Sequence, residues 1–203
     1  MLSPKQVKAG LAHTESADRV RPVVAVRRLT DHDSIPQVTR LLHHAYAAQV
    51  AMGLRPLAGR QDDDTTARRC ASGECYLATL TEDTEHGPVE RFVGTILFHE
   101  IEDAKGPPWF ANSWVDSFSQ FGVDPHYQGH GIGQMLLGTV ELRASQCGAK
   151  ELALSMAEPD TNLMRFYMKR GYRFVELWQW PYTNYKSAIL SKALADSSDE
   201  LSR

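Results

Sequence analysis

Apolar residues recur along this chain in two rhythms, and the switches between the rhythms outline its elements. The run VVAVRRL, 23–29, is β-rich and predicts a strand. SIPQVTRLLHHAYAAQ, 34–49, changes to helical spacing, with Ile35, Val38, Leu42, Ala45 and Gln49 on one stripe. Asp33 or Ser34 can cap this helix, and Pro36 fits its first turn. DDDTTARRCASG, 62–73, predicts a second helix, its acidic start matched to the dipole and its end marked by Gly73. Three strands follow without helices between them: CYLATLTE (75–82), RFVGTILFHEIE (91–102) and SWVDSFSQFGV (113–123). Period two places Phe92, Gly94, Ile96 and Phe98 on one face of the second, and GPV, 87–89, reads as the turn before it. Such consecutive strands predict an antiparallel meander.

The pattern then changes again. GVDPHYQGHGIG, 122–133, concentrates glycines directly before an apolar run. That run predicts a helix of about 14 residues, a usual length. Gly133, Leu137, Val140, Ala144 and Cys147 form its stripe and Gly148 its stop. ELALSMA, 151–157, alternates as a strand. DTNLMRFYMKRG, 160–171, predicts a helix capped by Asp160 or Thr161 and ended by Gly171. YRFVELWQW (172–180) and KSAILSKAL (186–194) read as two last strands. The fold class is α/β: a mixed sheet, antiparallel in its N-terminal meander, with a central parallel β-α-β unit. The polar ends, 1–21 and 195–203, read as a flexible arm and a disordered tail around one domain, 22–194.

Composition narrows the function. A chain of 203 residues, 42% hydrophobic, suits one globular domain. Its net charge of -3 lacks the basic footprint of a nucleic-acid binder. Arg19, Arg21, Arg27 and Arg28 read as a solvated face. Cys70, Cys75 and Cys147 lack metal-site spacing, and reduced thiols in a cytoplasmic protein are expected. No stretch approaches the roughly 20 apolar residues of a membrane span, and the N-terminus lacks the apolar core expected of a secretory signal.

The glycine loop carries the chemistry. The first N–H groups of a helix lack intrahelical partners and sit at the positive end of its dipole. Glycines let a loop curl so that several N–H groups converge on one phosphate. Other phosphate motifs fit less well. A P-loop needs Gly-Lys-Ser or Gly-Lys-Thr, and Gly133 is followed by Gln134 and Met135. The dinucleotide fingerprint G-x-G-x-x-G starts at Gly129 and Gly131 but meets Gln134 at its third position.

VDPHYQGHGIG resembles the acetyl-CoA-binding motif of the GCN5-related N-acetyltransferases, V-x-P-x-x-[QR]-G-x-G-[IVA]-[GA]. Val123, Pro125, Gln128, Gly129, Gly131, Ile132 and Gly133 fit it. NLMRFYMKRGYRF, 162–174, resembles the family's second landmark. The resemblance implies a GNAT-like mixed sheet whose parallel strands splay at the acyl-CoA site. It implies acetyl-CoA as co-substrate and no metal. Backbone N–H groups of Gln128, Gly129, His130, Gly131, Ile132 and Gly133 would hold the pyrophosphate. Pantetheine would pair with the main chain near Phe121 and Val123, as an added strand does. Asn162 would bond the pantetheine arm, and Tyr167 would protonate the departing sulfur. The implied reaction is direct acetyl transfer to a primary amine, on a small molecule or a peptide, in a ternary complex. The alternative is a sensor that binds acyl-CoA without turnover.

The general base is open. The family's glutamate position falls at Ser117, which cannot serve. Asp116 beside it would need a bulge to face inward. Glu100, Glu102 or a water chain are alternatives. His99 suits by ordinary pKa but reads as exposed. His126 and the His130 side chain read as surface. Trp178, Trp180, Tyr182 and Tyr185 can form an acceptor wall, a homodimer seam or core. Asp62, Asp63 and Asp64 can attract a cationic acceptor or merely begin a helix.

Overall fold

Among the described residues, seven strands form one sheet in the order β1-β2-β3-β4-β5-β7-β6. The structure is a computed structural model, and it describes residues 24–195 apart from 86 and 101–105. The expected arm, residues 196–203 of the tail, and Glu102 lie outside the described residues. The strands are β1 (Val24–Arg28), β2 (Glu74–Thr84), β3 (Gly87–His99), β4 (Val115–Val123), β5 (Glu151–Ala157), β6 (Arg173–Trp178) and β7 (Ser187–Ala193). Every neighbouring pair is antiparallel except β4 with β5, which run parallel. The helices are α1 (Ile35–Ala45), α2 (Ala47–Ala51), α3 (Asp63–Cys70), α4 (Ile132–Cys147) and α5 (Thr161–Met168). Among the described residues no helix is long and apolar enough to cross a membrane.

The meander and the parallel unit thus stand as the hydrophobic rhythm predicts. Three local readings are corrected. GPV is not a turn: β3 begins at Gly87, and Pro88 and Val89 pair with the end of β2. Phe92 does not share a face with Ile96 and Phe98. A register shift beside Ala78 and Thr79 inserts an extra residue at Val93 and reverses the alternation. Phe92 therefore packs with Leu77 and Leu97 under α1, while Val93, Ile96 and Phe98 pack under α4. On α4 the buried positions are Ile132, Leu136, Leu137, Val140 and Ala144, and Cys147 is exposed on the last turn.

Helix ends follow from their caps. Asp62 accepts from Thr65 N–H at 2.8 Å and starts α3. Asp160 accepts from Leu163 N–H at 3.0 Å and starts α5. Gly148 closes α4 with φ of 86°. Asp33 does not cap α1, because Arg27 claims its carboxylate at 2.7 and 2.8 Å. The single helix predicted for 34–49 is broken at Tyr46, which leaves helical geometry between α1 and α2.

Two further irregularities build the cleft. Pairing between β4 and β5 runs from Val115–Glu151 to Phe118–Leu154 and stops there. Beyond it, residues 119–123 and 155–157 diverge. A bulge on β4 lies at this point: Thr95 and Leu97 of β3 face Gly122 and Ser119, with Gln120 at φ of 48°. The bulge keeps Phe118, Phe121 and Val123 on the α4 face. Gly122 falls on the opposite face, where a Cβ would lie 2.7 Å from Ala45 of α1.

Candidate active site

The divergence of β4 from β5 opens a cleft of about 1740 Å³ that runs through the sheet from one face to the other. One half is lined by Gln128, Gly129, Gly131, Ile132, Gly133 and Asn162. Gly129 and Gly131 have φ of 79° and 84°, and open space lies where a Cβ would stand. Gly131 occupies the N-cap of α4 without a side-chain cap. Among the described residues, the N–H groups of residues 129–133 meet no backbone acceptor. Five main-chain donors thus gather at the positive end of a 16-residue helix. That donor set suits an anion with several oxygens, as a pyrophosphate has.

The parted strand edge is the second feature. Asp124 N–H donates to Val93 O of β3 at 2.9 Å, so the main chain of Val123 turns the other way, into the gap. Gln128 holds the Val123 carbonyl through a 3.1 Å bond from its side-chain N–H. An extended chain laid in the gap would meet the N–H of Val123 as a neighbouring strand would.

Tyr167 stands between the two halves. It is 3% exposed and lines the cleft. Phe118, Phe121, Phe166 and Tyr172 surround its ring, with centroids 5.3 to 6.3 Å away. Burial pushes its phenol well above the ordinary value, so the group keeps its proton and is available as a donor.

Tyr46, Gln49, Arg69, His99, Ser119 and Gln120 line the other half. Trp180, Tyr182 and Tyr185 close it, so these aromatics are a cleft wall. Trp180 donates its indole N–H to Ser155 Oγ at 2.9 Å and stacks on Tyr182 at 5.5 Å. Trp178 packs instead against Val115, Ala153 and Ile189. Beneath this half, Arg69 donates to Gln61 Oε1 at 2.7 Å, and Gln61 donates to Gln120 Oε1 at 2.8 Å. Gln49 donates to Asp160 at 3.1 Å and so ties α2 to the start of α5.

Several expected residues lie elsewhere. Asp116 is 5% exposed but does not line the cleft. It shares the α4 face with Phe118, and the bulge falls beyond it at Gln120, too late to turn it inward. Burial, reinforced by Glu100, pushes its carboxyl up to about 7. Glu100 is exposed and accepts from Arg143 at 2.8 Å, outside the cleft. The His130 ring turns back to the Gln128 carbonyl at 2.9 Å and does not line the cleft, although its main-chain N–H belongs to the loop set. Asn162 lines the cleft from the first turn of α5. His99 is half-buried and lines the cleft, against the expectation of an exposed strand histidine. Among the described residues no cluster of histidine, cysteine and carboxylate side chains could hold a metal ion.

The chain matches the acetyltransferase (GNAT) family over residues 38–172. No curated protein matches it. Solved structures with the same fold include a GNAT family acetyltransferase from Elizabethkingia anophelis with acetyl-CoA bound. It is 19% identical, with a TM-score of 0.56 over 84% of this chain and 98% of that one. A putative acetyltransferase, yncA from Salmonella typhimurium, with its cofactor acetyl-CoA, is 16% identical. Its TM-score is 0.59 over 85% of this chain and 95% of that one. The ribosomal-protein-S18-alanine N-acetyltransferase from Escherichia coli is 13% identical, with a TM-score of 0.60 over 85% and 95%.

Proposed function

This chain belongs to the acetyltransferase (GNAT) family, and from that premise we propose that it transfers the acetyl group of acetyl-CoA directly to a primary amine while both occupy the cleft. The observation that carries the reading is the run of five main-chain N–H groups, 129–133, opening beside a parted strand edge. That combination accommodates a diphosphate joined to an extended arm. Two structural relatives hold acetyl-CoA, which agrees with it.

Acetyl-CoA supplies an activated acyl carbon, and the chain supplies position and proton donors. The loop amides hold the diphosphate, with Gln128 bracing the Val123 carbonyl at the loop's entrance. The Val123 N–H, which faces the gap, polarises the thioester oxygen in this reading. Asn162, at the cleft wall, reaches the arm. Tyr167 gives its proton to the departing sulfur, and its raised pKa keeps that proton in place until the thiolate forms. A serine, cysteine or lysine nucleophile is not needed when the amine attacks the thioester itself.

The acceptor enters from the half walled by Trp180, Tyr182 and Tyr185. Aromatic faces there favour an amine with an apolar or planar body. Thiol release from acetyl-CoA across a panel of primary amines tests the reading. Amine-dependent release supports it; calorimetric binding of acetyl-CoA without release on any amine replaces it with a sensor.

A further inference from the structure

His99 ends β3 and is held from two sides. Behind it, the turn from α3 to β2 comes so close that a Cβ at Gly73 would lie 2.2 Å from the Phe98 carbonyl and 3.0 Å from His99 Nδ1. Gly73 is thus a close-approach residue, not the helix stop expected of it, since α3 already ends at Cys70. The backbone of Ser72 forms a hydrogen bond that favours the protonated ring, which makes the imidazole the donor and Ser72 O the acceptor. Nδ1 is the ring nitrogen on the side of this turn, next to Gly73, so we place the hydrogen there and the acceptor lone pair on Nε2. It faces Ser119 Oγ at 3.2 Å.

Ser119 is the first residue of β4 beyond the last pair with β5, Phe118–Leu154. Alternation from Phe118 puts its hydroxyl on the acceptor face, and both Ser119 and His99 line the cleft. Burial lowers the pKa of His99 to about 4, so its ring is neutral throughout the neutral range. The charge of Arg69 on α3 also opposes protonation. Arg28, Glu74 and Glu100 border the groove behind it, and Arg143 engages both carboxylates.

We propose that Ser119 and His99 form the path by which the acceptor amine loses its proton, an inference that rests on the acetyltransferase reading above. The acceptor attacks as the free amine, its ammonium proton already lost to water; as its nitrogen bonds to the acetyl carbon, an N–H bond breaks toward Ser119 Oγ. The Ser119 O–H bond breaks toward His99 Nε2, which becomes imidazolium. The carbon–sulfur bond breaks, and the sulfur takes its proton from Tyr167. The imidazolium then yields its proton to water, and Tyr167 recovers one from water, so the chain ends unchanged. Ser119 touches the amine; His99 acts through Ser119, and the Ser72 carbonyl fixes its tautomer. The path needs no carboxylate, which accounts for a cleft whose neighbours Asp116 and Glu100 face elsewhere.

The test uses the full chain with propylamine, 2-phenylethylamine and glycinamide as acceptors. Ser119→Ala and His99→Asn should each lower kcat about a hundredfold or more. Asparagine keeps a donor for Ser72 but lacks the Nε2 position. Affinity for acetyl-CoA should stay within about threefold, and the double variant should be no slower than either single one. Ser119→Thr, which keeps the hydroxyl, should recover most of the rate. Independently of turnover, ¹⁵N spectra of the wild-type histidines should show His99 as the Nδ1–H tautomer from neutral pH down to about pH 5. Full activity in Ser119→Ala, or an Nε2–H tautomer, overturns the path and leaves the acetyltransferase reading standing. A wild-type protein that binds acetyl-CoA but releases no thiol with any of the three amines counts against that reading and takes the path with it.

Discussion

The two halves of the cleft are made of different material. On the side of α4 the lining that matters is main chain: amides 129–133 and the exposed edge of β4. On the side of α1 and α3 it is side chain: Tyr46, Arg69, His99, Ser119, Trp180 and Tyr182, drawn from five separate segments. A main-chain site depends on conformation and tolerates any side chain that permits it. A side-chain site depends on identity and can be altered one residue at a time. On the proposed reading, a coenzyme half made of main chain is coupled to an acceptor half made of side chains, and the contrast predicts that substitutions will fail differently on the two sides.

Tyr167, which touches both halves, should give the largest effect. Tyr167→Phe removes the proposed proton donor and keeps the ring among Phe118, Phe121 and Tyr172, so kcat should fall by about 10²–10⁴ with acetyl-CoA affinity nearly unchanged. Equal losses in both would make Tyr167 a packing residue. Next is Gly131→Val, which forces a β-branched residue to φ of 84°. Acetyl-CoA binding should weaken by about a hundredfold by calorimetry, while circular dichroism stays native. An unchanged dissociation constant would break the main-chain account of that half. On the other side, Trp180→Ala should raise the acceptor KM about tenfold, a typical loss for one buried aromatic contact, and leave acetyl-CoA affinity alone. A change in coenzyme affinity instead would erase the division between the halves.

The smallest effect concerns a residue in neither half. Asp116 has a raised pKa, so the folded state favours its protonated form. The cost of ionising it is absent below pH 4, grows as pH rises toward 7, and is constant above that. Asp116→Asn should therefore stabilise the fold by about 1–3 kcal/mol at pH 8 and by less at pH 5, measured by urea unfolding. Coenzyme affinity should not move. A gain that is larger at pH 5 would contradict the sign.

The same contrast governs how much can be read without a structure. The coenzyme half is written in consecutive residues, since a left-handed turn needs glycine where it occurs, and Gly129 and Gly131 announce it. The meander and the parallel pair follow from period two and from the helix between 123 and 151. The acceptor half leaves no such trace. Its shape depends on the bulge at Gln120, where a non-glycine residue adopts positive φ with nothing in the sequence to mark it. His99 looked like a surface residue because alternation does not reveal that Gly73 brings a turn against it. Asp116 needs a bulge to face inward, and the sequence does not reveal that the bulge falls beyond it, at Gln120. Phe92 and Val89 depart from the sequence pattern because the extra residue at Val93 and the early strand start are settled by pairing with β2, which is a tertiary fact.

The central claim is that main-chain amides at 129–133 and at the parted edge of β4 receive the coenzyme. Titration of ¹⁵N-labelled protein with acetyl-CoA tests it directly. The account predicts the largest amide shifts at Gly129 to Gly133, with a further shift and new protection from exchange at Val123. Saturable binding that leaves those amides unmoved, and shifts residues around Trp180 and Arg69 instead, would contradict it.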